Sequence, residues 1–409
     1  MSADLPVLIA GAGPVGLTLA LALLRQGRGV LVFERRRAIP VDARATTLQP
    51  PALDAYESLG VLDPIAARGR RVDAVEYWTW GANRARLATV PFAAIRREVG
   101  HPYRLHCAQP ALCRVLLETI EREYPGVVQF GSTVEGAMAR GDAVVVHVRT
   151  GSRTRVLLGS WLAGCDGARS RVRSLVQAED ETLGPSDVFF TCEVDGSHPT
   201  LRGEGVGDAA YLLTRLGPGL FMRMPDTIRV LYRLPDTAER TLDTATDGPL
   251  AQVLFGADRP DAFRNKAVYT VRQRVVKRFR HGRVVLLGDA AHQAWPIAGS
   301  AMNCGILDAY TLAQALDSER IDDWAAERRA ELVDRVAVDA RTFHRRLLAN
   351  GALAQRRREA FFRRLQEHPA ALVDHVRRSA MVWTGVVPFH TLAGRSRTAG
   401  RSTAAESAS

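Results

Sequence analysis

Three short runs rich in glycine and aspartate carry most of the chemical promise of this chain. In the first, Gly11-Ala12-Gly13-Pro14-Val15-Gly16 links an apolar run to a stretch of helical length, and Glu34 and Arg35 end the next apolar run. Glycines at this spacing let backbone N–H groups approach a pyrophosphate at a helix N-terminus, where unpaired donors and the helix dipole favour negative charge. An acid placed as Glu34 is accepts hydrogen bonds from a ribose. The second run is Cys165-Asp166-Gly167-Ala168-Arg169-Ser170. The third is Gly288-Asp289-Ala290-Ala291-His292, continued by Pro296 and Gly299.

The elements that must hold these runs are readable around them. Val7 to Ala10, then Leu17 to Leu24, then Val30 to Phe33 read as strand, helix and strand, and Pro14 is harmless in a first helical turn, which has no use for its N–H. Pro110 to Glu123 reads as a helix. Val127 to Phe130, Val144 to Arg149 and Val156 to Leu162 read as strands leading to the second run. Between about Asp187 and Arg280 the pattern changes to short strands such as Val188–Phe190, Tyr211–Leu213, Leu220–Met222 and Ile228–Tyr232, separated by Gly, Pro and Asp. This predicts an antiparallel sheet inserted between two pieces of a nucleotide-binding domain. Val284 to Leu287 returns to the parallel-strand pattern, and the chain is mostly helical from Asn303. Ala393 to Ser409 lacks any large apolar residue and is expected to be disordered.

In this order and spacing the three runs resemble the FAD-dependent aromatic hydroxylases of the para-hydroxybenzoate hydroxylase type, including the ubiquinone-pathway hydroxylases. The resemblance covers approximately Val7 to Leu316. It implies an α/β fold with a Rossmann-like FAD-binding domain, an inserted antiparallel-sheet substrate domain and C-terminal helices. The corresponding bounds are 1–180 with 281–316 for FAD, part of 70–105 on the substrate side, 181–280 for the substrate sheet, 317–392 for the helices and 393–409 for the tail. By the same resemblance Asp289 holds the flavin ribitol, and the backbone N–H groups of Met302 and Asn303 face the flavin N1–O2 edge in the manner of an oxyanion hole. Asp166, with Gly167, Ser170 and Arg173, matches a contact to the ribityl–pyrophosphate region. Arg44 matches an arginine reaching the cofactor phosphates, and Gln109 a polar contact to FAD. His292, Trp295, Pro296 and Ala301 fall beside the flavin, with His292 chiefly scaffolding and no catalytic acid or base identified. Where the family loop usually carries glycine, this chain has Ala301; if that position needs φ > 0, alanine costs on the order of 1–2 kcal/mol.

The implied chemistry is that of a single-component monooxygenase. NADPH or NADH reduces FAD and departs, O₂ forms a C4a-hydroperoxyflavin, and one oxygen passes to an electron-rich ring. Tyr211, Arg223 and Tyr232 are candidate substrate-wall residues by position and type. Epoxidation, dehydrogenation or redox-neutral cyclisation on the same fold, and a flavin-binding sensor or partner subunit without turnover, stay open.

Composition narrows the field further. The 409 residues carry a formal net charge of +11 and 46% hydrophobic residues, the latter ordinary for a globular protein. Nearly all the positive charge is arginine spread along the chain, with Lys266 and Lys277 the only lysines, so nucleic-acid binding is not expected. Five cysteines without paired metal-ligand spacing predict free thiols, no metal and a cytoplasmic setting. No run is long and apolar enough to span a bilayer, and the expectation is a monomer or homodimer.

Overall fold

The computed structural model describes residues 5–41, 45–81, 84–196, 205–234, 241–255, 263–294, 299–349 and 351–382. Its first layer is a six-stranded sheet in the order Arg280–His281, Val284–Leu286, Trp161–Gly164, Val7–Ala10, Val30–Glu34, Val128–Phe130. Every pair in it is parallel except the outer Arg280–His281 edge. Val7-Leu8-Ile9-Ala10 and Trp161-Leu162-Ala163-Gly164 are buried throughout, as strands covered on both faces must be. Three neighbouring strands therefore end together, at Ala10, Gly164 and Leu286. Each delivers one of the three glycine/aspartate runs to the same edge of the sheet. Topology, rather than proximity in sequence, brings the runs together.

The helix Pro14–Arg25 is buried along nearly its whole length, packing on Ala301–Asp317 and Gln109–Glu123. Its apolar all-round composition suits that position between layers. The expected single strand Val156 to Leu162 is two. Arg153–Gly159 closes a three-stranded antiparallel meander with Ser132–Arg140 and Ala143–Thr150, and Trp161–Gly164 enters the parallel sheet. The chain changes sheets at Ser160, where Gly159 lies so close to Leu8 that a Cβ would sit 2.6 Å from its Cγ.

The second layer is an eight-stranded sheet: His292–Gln293, Arg264–Val276, Asp180–Asp195, Thr227–Arg233, Pro218–Arg223, Ala209–Leu213, Ala74–Thr79, Ala85–Pro91. All neighbours are antiparallel except Ala209–Leu213 with Ala74–Thr79. Register aligns Tyr77, Tyr211, Leu220, Leu231 and Thr191 in one cross-strand row. Directly opposed residues share a face, so this row marks the face turned toward the parallel sheet. The opposite face carries Phe190, Phe221, Val230 and Tyr232 in a separate core closed by the helices Leu242–Asp247 and Pro249–Phe255. C-terminal helices Ala337–Leu348, Ala352–Glu367 and Pro369–Ser379 cover the Tyr77 end of the first face. Residues 393–409 lie outside the described residues.

Candidate active site

One cavity of about 1140 Å³ runs between the two layers. At one end its wall is the C-terminal edge of the parallel sheet, with Gly11, Gly13, Pro14, Val15, Glu34, Arg35, Asp166, Gly288 and Asp289. At the other it is the face of the large sheet, with Tyr211, Leu220, Met222, Leu231 and Tyr269. Gln109, Gly299, Ala301 and Met302 lie along the same wall.

The cofactor end is built from backbone and short side chains. Gly16 touches the Gly11 carbonyl so closely that a Cβ would meet its oxygen at 1.9 Å, so this glycine packs turn against helix. Gly13 is different. It has an ordinary φ of −81° and nothing within 4 Å of a would-be Cβ, so no protein contact explains its missing side chain. What it keeps open is the space in front of the helix N-terminus, where a pyrophosphate fits. Glu34 is fixed at the cavity wall by two backbone donors, Ala12 N–H and Arg36 N–H, each at 2.9 Å. Asp289 is exposed into the cavity from a short 3-10 turn. The donor N–H groups of the first turn of Ala301–Asp317 have no intrahelical partners and open beside Ala301 and Met302 on the wall. These groups fit an FAD: open turn, ribose-accepting acid, ribitol-side acid and a helix N-terminus for the pyrimidine edge.

Several residues near this end have their side chains engaged by protein partners. Asn303 is buried, accepting from Gln49 N–H at 2.8 Å and donating to the carbonyls of Thr47 (2.9 Å) and Gly299 (2.8 Å). Its side chain ties the loop to the Thr47–Leu48 strand. Asp166 lines the cavity, but its carboxylate accepts from Ser170 Oγ (2.5 Å) and the N–H groups of Arg171 (2.7 Å) and Val172 (3.1 Å). It thus satisfies the first two N–H groups of the helix Arg171–Leu175, whose N-cap is Ser170. His292 does not line the main cavity. Its Nε2 donates to Asp308 at 2.6 Å, and Asp308 also accepts from Gly288 N–H (3.1 Å) and pairs with Arg328 (2.9 Å). Burial alone would raise the Asp308 pKa, but His292 and Arg328 together hold it below the usual carboxylate range. His292 is thus a brace behind the Gly288-Asp289 turn. Sequence reading missed Asp308 and Arg328, which carry no motif of their own.

The strain considered at Ala301 is absent. The left-handed conformation falls on Gly299 (φ +65°), and Ala301 is an ordinary first residue of its helix. Arg44, Trp295 and Pro296 lie outside the described residues.

At the substrate end Tyr211 is on the cavity wall, stacked on Tyr77 with centroids 5.2 Å apart. Tyr232 and Arg223 are not. Side chains alternate along a strand, so Leu231 faces the cavity and Tyr232 the opposite core, where its hydroxyl donates to the Ala245 carbonyl. By the same alternation Leu220 and Met222 line the cavity, and Arg223 falls with Phe221. Two wall residues escaped the sequence reading. Arg104 is buried, donating through Nε to Gln49 Oε1 (2.9 Å) and through Nη2 to the Ser379 carbonyl (2.8 Å). His106 is buried beside it, its Nδ1 2.9 Å from the Arg223 carbonyl, and burial lowers its pKa to about 4. The imidazole is neutral at pH 7, its Nδ1 donates to that carbonyl, and the lone pair is left on Nε2.

Comparison with known proteins agrees with this geometry. A family model described as an FAD binding domain matches residues 4–347. The chain belongs to this family. It is 30% identical over 347 residues to para-nitrophenol 4-monooxygenase of Pseudomonas sp. (strain WBC-3), covering 79% of this chain and 82% of that protein. It is 32% identical over 340 residues to 6-methylpretetramide 4-monooxygenase of Streptomyces rimosus, covering 79% of this chain and 58% of that longer protein. Among solved structures, p-nitrophenol 4-monooxygenase PnpA from Pseudomonas putida DLL-E4 superposes with a TM-score of 0.84 at 24% identity, over 93% of this chain and 99% of that one. The flavin-dependent monooxygenase PieE, solved with FAD and substrate, gives 0.73 at 20% identity, over 92% and 71%. This family member is an FAD-dependent monooxygenase. Among the described residues no helix is long and apolar enough to cross a membrane, and no cluster is arranged to hold a metal.

Proposed function

We propose that this monooxygenase hydroxylates an electron-rich aromatic small molecule, using O₂ and NADPH or NADH. The observation that carries the reading is the single cavity, which runs without a wall from the dinucleotide-binding edge to an aromatic and aliphatic sheet face. When bound, FAD supplies the oxygen activation and the redox chemistry. The chain's residues bind, orient and exclude water. Glu34 and the turn around Gly13 fix the adenosine and pyrophosphate portion, and Asp289 the ribitol. The first-turn N–H groups at Ala301, Met302 and Asn303 stabilise negative charge on the pyrimidine edge. Leu220, Met222, Leu231 and Tyr211 form the surface on which a ring lies, and their apolar character keeps water from the reacting atoms. His106 presents an acceptor nitrogen to a substrate hydroxyl. The basic balance of the chain favours approach of the anionic nicotinamide cofactor.

Two measurements test the reading. NAD(P)H oxidation by the holoenzyme should accelerate on adding an aromatic ligand, and labelled oxygen from O₂ should appear in the organic product. Ligand-stimulated oxidation that yields only hydrogen peroxide with every aromatic tried would contradict hydroxylation.

A further inference from the structure

Four arginines in the described residues are buried, and three have a carboxylate partner. Arg229 pairs with Glu193 at 3.3 Å, Arg274 with Asp180 at 2.5 Å and Arg328 with Asp308 at 2.9 Å. Arg104 is the exception. Its contacts are the neutral oxygens of Gln49 and Ser379, a hydrogen bond with Tyr211, and the Phe92 ring 4.9 Å from its guanidinium carbon. Among the described residues no acidic side chain acts on it, and the groups that do are the phenols of Tyr211 and Tyr77. Ser379 ends the helix Pro369–Ser379, so the partial negative charge of that helix end offsets part of the arginine's charge. A buried cation without a full counter-charge is costly, and proteins rarely retain one. This one lines the cavity, at the end where the aromatic face lies.

We propose that Arg104 is the specificity-determining residue of this site, and that its missing counter-ion is an anionic oxygen carried by the aromatic substrate. The inference rests on the hydroxylase reading for the word substrate, but not for the binding chemistry. Gln49 and Ser379 hold two of the five guanidinium N–H groups and the Tyr211 hydroxyl oxygen accepts from another, which orients the head before a ligand arrives. Tyr211 flanks the same position and adds a hydroxyl to the anion. His106, two residues along the same strand and on the same cavity wall, offers an acceptor lone pair in place of a second cation. The pair therefore discriminates. Arg104 takes the ionised oxygen, and His106 takes a neutral hydroxyl.

The test is equilibrium dialysis of FAD-loaded protein at neutral pH against matched probes. Benzoate, 2-naphthoate and anthracene-2-carboxylate are compared with their amides, and pentafluorophenol, ionised at this pH, with phenol. At least one acid or ionised phenol should bind 10-fold or more tighter than its neutral partner. Preference among the acids assigns a carboxylate, and preference confined to the phenols assigns a phenolate. Arg104→Gln should reduce the ratio to near 1, and Arg104→Lys should keep part of it. FAD content and unfolding midpoint of both variants separate lost recognition from lost folding, and the wild-type ratio stands without either variant. No neutral/anionic preference in wild type, or a preference that survives Arg104→Gln, overturns the proposal. Absence of ligand-dependent oxygen incorporation would overturn the hydroxylase reading while leaving the dialysis ratio intact.

Discussion

The two ends of the cavity are made in different ways. The FAD end uses backbone, glycines and acids at the tips of three adjacent parallel strands. The substrate end uses side chains from several strands of a mostly antiparallel sheet, closed by C-terminal helices. At the first, a function is set by what is absent, a Cβ or an N–H partner. At the second, it is set by which face each side chain occupies. A site made from local backbone geometry is exacting about sequence, whereas one made from register tolerates many sequences and encodes specificity in a few buried polar groups.

The strongest way to break this contrast is to fill the empty space at Gly13. Gly13→Ala should cut FAD affinity sharply and leave the unfolding midpoint of the FAD-free protein nearly unchanged, because the new Cβ meets no protein atom within 4 Å. Gly16→Ala should do the reverse and destabilise the apoprotein, since its methyl would collide with the Gly11 carbonyl. Flavin titration and thermal unfolding of both variants read the two effects separately. Equal loss of stability in both would mean that the turn has no ligand-shaped space.

Buried histidines at the substrate end give the next effect. His106 and His375 are held neutral by burial, with pKa values of about 4, against about 6.5 for an unfolded histidine. As pH falls below about 6.5 the unfolded chain takes up protons that the folded chain refuses, so stability is full above that pH and declines down to about 4. The loss is on the order of 3 kcal/mol for each histidine across the window. Urea unfolding at pH 7 and at pH 5 should show the decline, and His106→Gln should flatten part of it. An unchanged slope in that variant would remove His106 from the account.

Asp289→Ala sharpens the cofactor end. Loss of a charged hydrogen-bonding partner should cost about 1.5–3 kcal/mol of FAD affinity, roughly 10- to 150-fold, with little change in apoprotein stability. Retained affinity on flavin titration would mean that Asp289 does not touch the cofactor. The smallest effect belongs to the wrong face of the sheet. Tyr232→Phe removes one hydrogen bond to the Ala245 carbonyl and should cost about 1 kcal/mol of stability while leaving aromatic-ligand affinity alone. A changed affinity would contradict the register that turns Tyr232 away from the cavity.

The same contrast explains what was legible beforehand. Gly11 to Gly16 and Glu34 could be read because each acts within one strand–turn–helix–strand unit, and the parallel pattern of Val284 to Leu287 told where Gly288-Asp289 had to end. Tyr211 and Tyr232 could not be told apart by type. They sit on different strands, and only the row Tyr211, Leu220, Leu231 shows that one faces the cavity and the other does not. Arg104 was hidden for another reason. Its partners Gln49 and Ser379 lie 55 and 275 positions away, so nothing near it in sequence marks it as buried or unpaired. His292 was visible in its motif, but its brace through Asp308 and Arg328 depends on a helix packed behind the turn.

The claim on which the account stands is that bound FAD and an aromatic ligand share one cavity, with the sheet face around Leu231 as the ring's seat. Leu231→Trp should fill that seat without reaching the dinucleotide edge. The direct measurement is the visible absorption spectrum of bound flavin, titrated with an aromatic ligand that perturbs it in the wild-type protein. The account predicts full FAD content in Leu231→Trp and a perturbation that disappears or needs at least 10-fold more ligand. An unaltered titration in the variant would contradict the shared cavity.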